Sequence, residues 1–283
     1  MKIKMYAAGK LMLLGEHAVV YNRPCLVMAV DKSLTIAVSE SKTRSKNESV
    51  FAKAVIDKFS HDFGEIKVKI KTIKTFGSEY GLGSSAAVTV ALAKALFKLK
   101  QIKVGQKELF DFCYQIVKQV QGVGSGFDLA AAIYGGVVYF VTGGEKIEKL
   151  KIKELPIVVG YSGVKADTAT MIKKIAKKIK QDFLNESTKI VNQARMQMEQ
   201  RNWPELGKLM NRNQEILQQL GVSTPKLDKM IEASLKVGAW GAKLSGAGGG
   251  DCMIALVDNE KKAAVEKAIK VAGGEILKIK LAI

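Results

Sequence analysis

Three glycine-rich loops constrain the fold of this chain more than any other feature of its sequence. They read GLGSS at residues 81–85, GVGSG at 122–126 and SGAGGG at 245–250. Runs of such small residues give up side-chain packing and cost backbone entropy, so turn formation alone does not explain the third loop. The loops therefore predict a fold in which another group approaches the backbone closely at these places.

The first of these loops directly precedes a predicted helix. Apolar residues recur at three- and four-residue spacing over residues 85–98. Converging backbone N–H groups and the positive end of a helix make an anion site that fits nucleotide phosphates, with serine hydroxyls free to donate or to hold Mg²⁺. An ordinary capped helix start is the alternative for this stretch alone. The spacing matches neither the Walker lysine motif nor the dinucleotide-binding glycine fingerprint.

Strands and helices are predicted along the whole chain, without a regular strand–helix–strand alternation. The first third reads as strands, with Gly9 and Gly15 breaking short runs and a long β-rich run over residues 24–40. Helices are predicted near residues 49–60, 85–98, 106–121, 167–237 and 260–272. A charged stretch at residues 145–155 marks a domain boundary, which predicts domains at residues 1–153 and 154–283. The pattern favours an α+β architecture over a doubly wound sheet.

Composition predicts a soluble cytoplasmic protein without a membrane partner. With 283 residues, 47% of them hydrophobic and 25% charged, the chain has the make-up of a globular protein. Three cysteines without paired spacing and two histidines argue against a disulfide framework or a zinc site. Lys10 and Glu16 interrupt the N-terminal apolar stretch, which argues against a signal peptide. The longest apolar run, residues 129–141, is too short to span a bilayer.

The net charge of +18 invites a nucleic-acid interpretation, but the kind of basic residue argues against it. Only 5 of the 45 basic residues are arginine, the residue that nucleic-acid readers favour for bidentate contacts. The lysines alternate with apolar residues or lie on helix faces, as expected of solvated surfaces. We therefore expect no nucleic-acid partner, although a positive field would still attract anionic small molecules.

Asp128 and Lys10 are the candidate catalytic residues. Asp128 follows the second glycine-rich loop at a predicted helix start, and Lys10 interrupts an otherwise apolar strand. A carboxylate beside an anion site could act as a base, with the lysine neutralising it and keeping it ionised. A helix N-cap is the alternative role for Asp128.

Three motifs in order make the chain resemble the GHMP small-molecule kinases. They are AAGKLMLLGEHAVVY at residues 7–21, GLGSSAAVTVA at 81–91 and SGAGGGDC at 245–252. The resemblance covers nearly the whole chain. It implies a two-domain GHMP kinase fold, with an N-terminal domain like ribosomal protein S5, a ferredoxin-like C-terminal domain and the site between them. ATP and Mg²⁺ are the cofactors that it implies.

The resemblance also implies roles for individual residues. Asp128 would orient and deprotonate the substrate hydroxyl, and Lys10 would lower the pKa of that hydroxyl or stabilise the charge of the transferring phosphoryl group. Ser85 would help to bind Mg²⁺. The residues implied around the ATP phosphates are Gly81, Leu82, Gly83, Ser84, Ser85 and Ala86. Those implied near the acceptor or the transferred phosphate are Glu16, His17, Lys165, Thr168, Gly246, Gly248 and Gly249.

Within this superfamily the motifs are similar to two neighbouring branches. GEHAVVY at 15–21, YSGVKADT at 161–168 and LGVSTPKLD at 220–228 resemble mevalonate kinases. The stretches around the first two glycine-rich loops, together with GAGGGDC, resemble phosphomevalonate kinases. The resemblance therefore implies phosphoryl transfer to mevalonate, with 5-phosphomevalonate as the alternative acceptor. A non-catalytic ligand sensor on the same fold is a further alternative, and a homodimer is an additional expectation.

Two positions depart from the family pattern. Ala8 stands where the superfamily usually has proline before Gly-Lys, which should loosen that turn without removing chemistry. Val117 falls where mevalonate kinases carry a Mg²⁺-binding glutamate, eleven residues before the catalytic aspartate. This departure either weakens the resemblance to mevalonate kinases or leaves the metal to Ser85, the phosphates and water.

Overall fold

A five-stranded antiparallel sheet forms the N-terminal part of the protein, in a computed structural model that describes residues 2–43, 49–74, 77–122 and 124–283. Its strands are β1 (Lys2–Leu14), β2 (Cys25–Glu40), β3 (Val68–Lys74), β4 (Val137–Val141) and β5 (Lys146–Leu150). Strand β2 is long enough to pair with β1 along its length and, on its other side, with β4 at its start and β3 at its end. Strand β5 completes the sheet by pairing with β4.

The prediction that Gly9 breaks a strand is wrong. Strand β1 runs through Gly9, and the register shifts there, with Ala8 opposite Ser33 and Gly9 opposite Val30. A β-bulge of this kind bends a strand without ending it. A Cβ at Gly9 would lie 2.9 Å from the carbonyl oxygen of Leu82, so glycine allows residues 81–85 to pack on the strand.

Four helices cover one face of this sheet: α1 (Val50–Phe63), α2 (Ser84–Leu99), α3 (Gln106–Gln121) and α4 (Phe127–Tyr134). Helix α2 is buried on nearly all sides, as an apolar helix at the centre of a layer should be. Edge-to-face contacts link Phe59 of α1 with Phe97 of α2, and Phe97 with Phe112 of α3. This packing holds the starts of α2 and α4, which carry the candidate site, on one rigid layer.

The C-terminal part contains a second antiparallel sheet, with strand order β7-β8-β6-β9. Its strands are β6 (Ile157–Tyr161), β7 (Gly241–Ser245), β8 (Cys252–Leu256) and β9 (Glu275–Leu277). The helices are α5 (Thr168–Ile175), α6 (Gln181–Glu199), α7 (Trp203–Leu220), α8 (Pro225–Lys236) and α9 (Lys262–Val271). Pro225 opens α8, where its missing N–H costs no helical hydrogen bond, and the Thr224 side chain caps that helix. The α+β prediction is confirmed.

The two parts share a hydrophobic core. Leu11 and Leu26 of the first sheet lie in one buried cluster with Val159 and Ile254 of the second. The end of the chain also crosses back, since residues 280–282 hydrogen-bond to residues 29–31 of β2. Because β5 belongs to the first sheet and β6 to the second, the chain passes between the sheets within residues 151–156.

None of the helices in the described ranges is long and apolar enough to cross a membrane. All three cysteines are buried free thiols.

Candidate active site

The first glycine loop, residues 81–85, leads into an uncapped helix start. Gly81 and Gly83 have φ angles of 68° and 79°, in the left-handed region that favours glycine. Gly83 is the N-cap of α2, and no side chain in the described part of the protein caps it. The first helical N–H groups, at Ser84, Ser85 and Ala86, therefore keep their hydrogen-bonding capacity next to the positive end of the helix. The buried Leu82 side chain packs into the shared core, so only its backbone can face a ligand.

Lys10 lies against this loop from strand β1. Its backbone N–H donates to the Leu82 carbonyl at 2.9 Å. A Cβ at Gly83 would lie 2.9 Å from the Lys10 Cγ, so the side chain passes directly over the loop. Its ammonium lies 5.4 Å from the ring centre of Phe127, the first residue of α4. Lys10 thus connects the starts of α2 and α4.

Asp128 is the second residue of α4 and does not cap it, because Gly126 is the N-cap. Its Oδ1 accepts a hydrogen bond from the backbone N–H of Leu129 at 3.0 Å. Burial raises the pKa of Asp128, and the positive charge of Lys10 lowers it. A carboxylate in such surroundings is a stronger base than one in water, while the lysine favours its ionised form.

Val117 puts an apolar side chain beside the loop that leads to Asp128. It is buried, and its Cγ1 would lie 3.2 Å from a Cβ at Gly124. The described residues contain no group of three His, Cys, Asp or Glu side chains placed to hold a metal ion. A cation here would therefore depend on oxygen atoms such as the Ser85 hydroxyl and those of a bound ligand.

Glu16 forms a buried ion pair with Lys243, a residue that the sequence analysis did not identify. Lys243, in strand β7, is fully buried, and its Nζ donates to Glu16 Oε1 and to the Leu244 carbonyl. Burial lowers the pKa of Lys243, and the Glu16 carboxylate raises it. Glu16 Oε2 is buried without a hydrogen-bond partner among the described residues. A lysine inside an otherwise apolar strand was the signal that could have revealed the pair.

His17, which follows β1, contacts the third glycine loop, residues 245–250. Its φ is 60°, and its Nε2 lies 2.9 Å from the Ala247 carbonyl oxygen. Burial lowers the pKa of His17, which favours the neutral ring. Since a carbonyl can only accept, Nε2 carries the hydrogen and Nδ1 keeps its lone pair.

The glycines of the third loop have different surroundings. A Cβ at Gly246 would meet no described atom within 4 Å, whereas one at Gly248 would lie 2.2 Å from the Val222 carbonyl oxygen. At Gly249 it would lie 2.4 Å from the Met171 Cε. Packing against the Val222 backbone therefore requires glycine at 248, whereas the contact at Gly249 is with the end of a flexible side chain. Of the three, Gly246 is the one with open space for a ligand.

Lys165 and Thr168 lie on an exposed segment next to the third loop. Thr168 is the exposed first residue of α5. Burial raises the pKa of Asp251, a second residue that the sequence did not single out, whereas the hydrogen bond from the Ala166 N–H and the charges of Lys10 and Lys165 lower it. Lys10 likewise lowers the pKa of Asp128. The positive charge of Lys10 therefore acts on carboxylates from both halves of the protein.

Comparison with known families agrees with this arrangement. The family profile described as "GHMP kinases N terminal domain" matches residues 50–136, and "GHMP kinases C terminal" matches residues 194–273.

Individual relatives match over nearly the whole chain. The mevalonate kinase of Pyrococcus furiosus is 32% identical over 97% of this chain and 94% of its own. The crystal structure of the Methanococcus jannaschii mevalonate kinase has a TM-score of 0.85 and 26% identity, covering 100% of this chain and 99% of its own. The crystal structure of the Streptococcus pneumoniae phosphomevalonate kinase has a TM-score of 0.89 and 24% identity, covering 100% of both chains. At this identity the match shows a common fold alone.

Proposed function

This chain belongs to the GHMP kinases, and we propose that it transfers the γ-phosphoryl group of ATP to the hydroxyl of mevalonate. It is an ATP-dependent small-molecule kinase. The observation that carries the proposed chemistry is the position of Lys10 between the uncapped start of α2 and Asp128. The acceptor follows from the relatives, because mevalonate kinases match over almost the full length of the chain.

In the proposed reaction, Asp128 takes the proton of the acceptor hydroxyl as its oxygen attacks the γ-phosphorus. The bond from that phosphorus to the bridging oxygen breaks, and ADP leaves. Lys10 favours the ionised form of Asp128 and can stabilise the charge that spreads over the phosphoryl oxygens. Such transfers depend mainly on positioning and electrostatic stabilisation, so these two groups beside a nucleotide loop are sufficient.

The first glycine loop is proposed to hold the nucleotide through the backbone N–H groups at the start of α2. Mg²⁺ supplies charge neutralisation for the phosphates when it is bound with the nucleotide. Ser85 has the hard oxygen donor that such a cation prefers, and Val117 has none. Phosphate and water oxygens would complete its coordination.

The acceptor is proposed to bind beside Glu16, His17 and the third glycine loop. Glu16 Oε2 is a buried acceptor without a partner among the described residues, which suits a hydroxyl donor on the substrate. The Nδ1 of neutral His17 offers a second acceptor atom. Gly246 leaves room for the ligand to approach the loop.

5-Phosphomevalonate is the second candidate acceptor. It brings about two further negative charges near neutral pH, by analogy with phosphorylated side chains. Exposed Lys165, beside the third glycine loop, is a cation beyond those that serve ATP.

The test is kcat/KM for mevalonate and for 5-phosphomevalonate, measured with the full chain at equal MgATP. We expect mevalonate to be preferred. A preference of more than tenfold for the phosphorylated acceptor, about 1.4 kcal/mol, would overturn the choice of acceptor but leave the kinase assignment intact. If neither acceptor leads to ADP release, the proposed function is contradicted and the ligand-sensor alternative is favoured.

The same proposal places the enzyme in the cytoplasm, where its three buried free thiols would remain reduced. A homodimer and the absence of nucleic-acid and membrane partners stay predictions.

A further inference from the structure

Asp251 connects three loops of the candidate site. It directly follows the third glycine loop, and its backbone N–H donates to the Val164 carbonyl at 2.7 Å. Its Oδ1 accepts from the Ala166 N–H at 2.9 Å, and its carbonyl accepts from Ser162 N–H at 2.9 Å. These contacts attach residues 162–167, called here the Lys165 loop, to the third glycine loop.

The other carboxylate oxygen reaches the first glycine loop. A Cβ at Gly81 would lie only 2.3 Å from Asp251 Oδ2, so the carboxylate occupies the space that a side chain at position 81 would need. Asp251 is buried, and its side chain thus lies between the loop proposed to hold ATP and the Lys165 loop. A change in the position of Gly81 would therefore change the space available to this carboxylate.

The backbone conformation of Asp251 is less favourable for aspartate than for glycine. Its φ is 55°, a left-handed conformation that glycine adopts freely and that is less favourable for residues with a Cβ. Three glycines precede it, so another glycine at 251 would be the conformationally easier choice. Strained residues of this kind are concentrated at functional sites.

Two further hydrogen bonds of the Lys165 loop are local, from the Val164 N–H to Ser162 Oγ and from the Thr170 N–H to Asp167 Oδ1. Gly163, Val164 and Lys165 are exposed, with Val164 at 51%, so apolar burial contributes little to its position. The hydrogen bonds of Asp251 are therefore important in placing the loop.

We propose that Asp251 is a positioning residue that couples the Lys165 loop to the first glycine loop, so that nucleotide binding orders the acceptor side of the site. The inference rests on the proposed function for the identity of the two ligands. Coupling between two sites is reciprocal, so bound acceptor should also tighten nucleotide binding.

Two variants separate the side-chain hydrogen bond from the charge and from the backbone. D251N keeps an oxygen that can accept from Ala166 and tolerates a left-handed backbone, but it removes the charge. D251G keeps the backbone hydrogen bonds and relieves the conformational cost while removing the side chain. D258G is the matched control, because Asp258 Oδ1 also accepts from a loop N–H, that of Glu260, beyond the far end of β8.

Hydrogen–deuterium exchange of a peptide spanning residues 162–167 is measured with and without a non-hydrolysable ATP analogue and Mg²⁺. The nucleotide should slow exchange at least about fivefold in the wild type, D251N and D258G, the low end of typical coupling. In D251G this nucleotide-dependent slowing should disappear, with no loss of melting temperature. Calorimetry should likewise show that mevalonate tightens binding of the analogue in D251N but not in D251G.

Unchanged nucleotide-dependent slowing in D251G would overturn the inference, as would its absence in the wild type. Loss of the slowing in D251N as well would show that the charge and not the hydrogen bond is responsible, which would also contradict it. The exchange experiment needs no acceptor. If the wild type phosphorylates no mevalonate but shows the slowing, the proposed acceptor fails and the positioning role of Asp251 stands.

Discussion

Replacing Lys243 with methionine tests the contribution of its buried ion pair with Glu16. Lys243 lies in β7 of the second sheet, and Glu16 follows β1 of the first, so the pair joins the two parts of the protein. Both side chains are almost completely buried, at 0% and 1% exposed. K243M keeps most of the side-chain length but leaves the Glu16 carboxylate buried without its cation.

The expected loss follows from the burial of the remaining charge. One oxygen of Glu16 has no described partner even in the wild type, so the carboxylate depends on Lys243 for compensation. Removing one partner of a buried pair typically costs about 3–5 kcal/mol in the free energy of unfolding. For a chain of this size that corresponds to a fall in melting temperature of about 10 °C. Replacing both partners with apolar residues is often nearly neutral, because no charge then remains buried.

The assay is equilibrium unfolding in urea at pH 7 for K243M, E16L and E16L/K243M. We expect each single variant to lose about 3–5 kcal/mol and the double variant to lose far less than the sum. K208M is the matched control, since Lys208 pairs with Glu205 at the surface with the two side chains 71% and 48% exposed. Such a pair contributes little, and its loss should leave the free energy of unfolding nearly unchanged. Additive losses in the double variant, or a K243M protein as stable as K208M, would refute this reasoning.

The other predictions concern the catalytic base and the glycines. D128N should lower kcat by roughly 10²–10⁴-fold with little change in nucleotide affinity. Because burial raises the folded-state pKa of Asp128, folding favours its protonated form, and this stabilisation is lost as pH rises through that pKa. D128N should therefore melt no lower than wild type at pH 7. A lower melting temperature would indicate a structural role for Asp128. In the wild type, kcat/KM for the acceptor should fall at acidic pH as this carboxylate is protonated, and a profile without such a limb would argue against it as the base. G83A should weaken binding of an ATP analogue at least about tenfold, because the new Cβ would displace the Lys10 side chain that lies over the loop. G122A is the control, since Gly122 has a similar φ and a Cβ there would meet no described atom within 4 Å, and it should bind the analogue normally. Equal binding by the two variants would contradict the proposed nucleotide loop. G248A should lower the melting temperature more than G246A, because only the Cβ at position 248 would collide with the Val222 carbonyl. G246A should instead raise KM for the acceptor. The reverse pattern would contradict the assignment of open space at Gly246.

Local patterns in the sequence predicted much of the fold. The predicted helices at 85–98 and 106–121 correspond to observed helices at Ser84–Leu99 and Gln106–Gln121. Apolar periodicity and flanking glycines are local signals, and here the tertiary packing agreed with them. The α+β class and the two-domain GHMP kinase fold were likewise predictable, because the three glycine-rich motifs occur in order along the chain.

The sequence also marked Lys10 and Asp128 as a candidate pair, from a lysine in an apolar strand and an aspartate after a glycine loop. That Lys10 lies between the starts of α2 and α4 depended on the tertiary structure. Strand β1 carries it over Gly83, and the bulge at Gly9 lets that loop pack on the strand.

Other parts of the site were decided by tertiary structure alone. Lys243 pairs with Glu16 across 227 positions, and Asp251 reaches Gly81 from the opposite sheet. No local pattern could show that a Cβ at Gly248 would collide with the Val222 carbonyl. Periodicity and turn chemistry report the conformation of neighbouring residues, whereas these partners meet only because two sheets bury a common core. The sequence by itself therefore determined the elements and the residues suited to the chemistry, and the packing of the two sheets decided which of those residues meet.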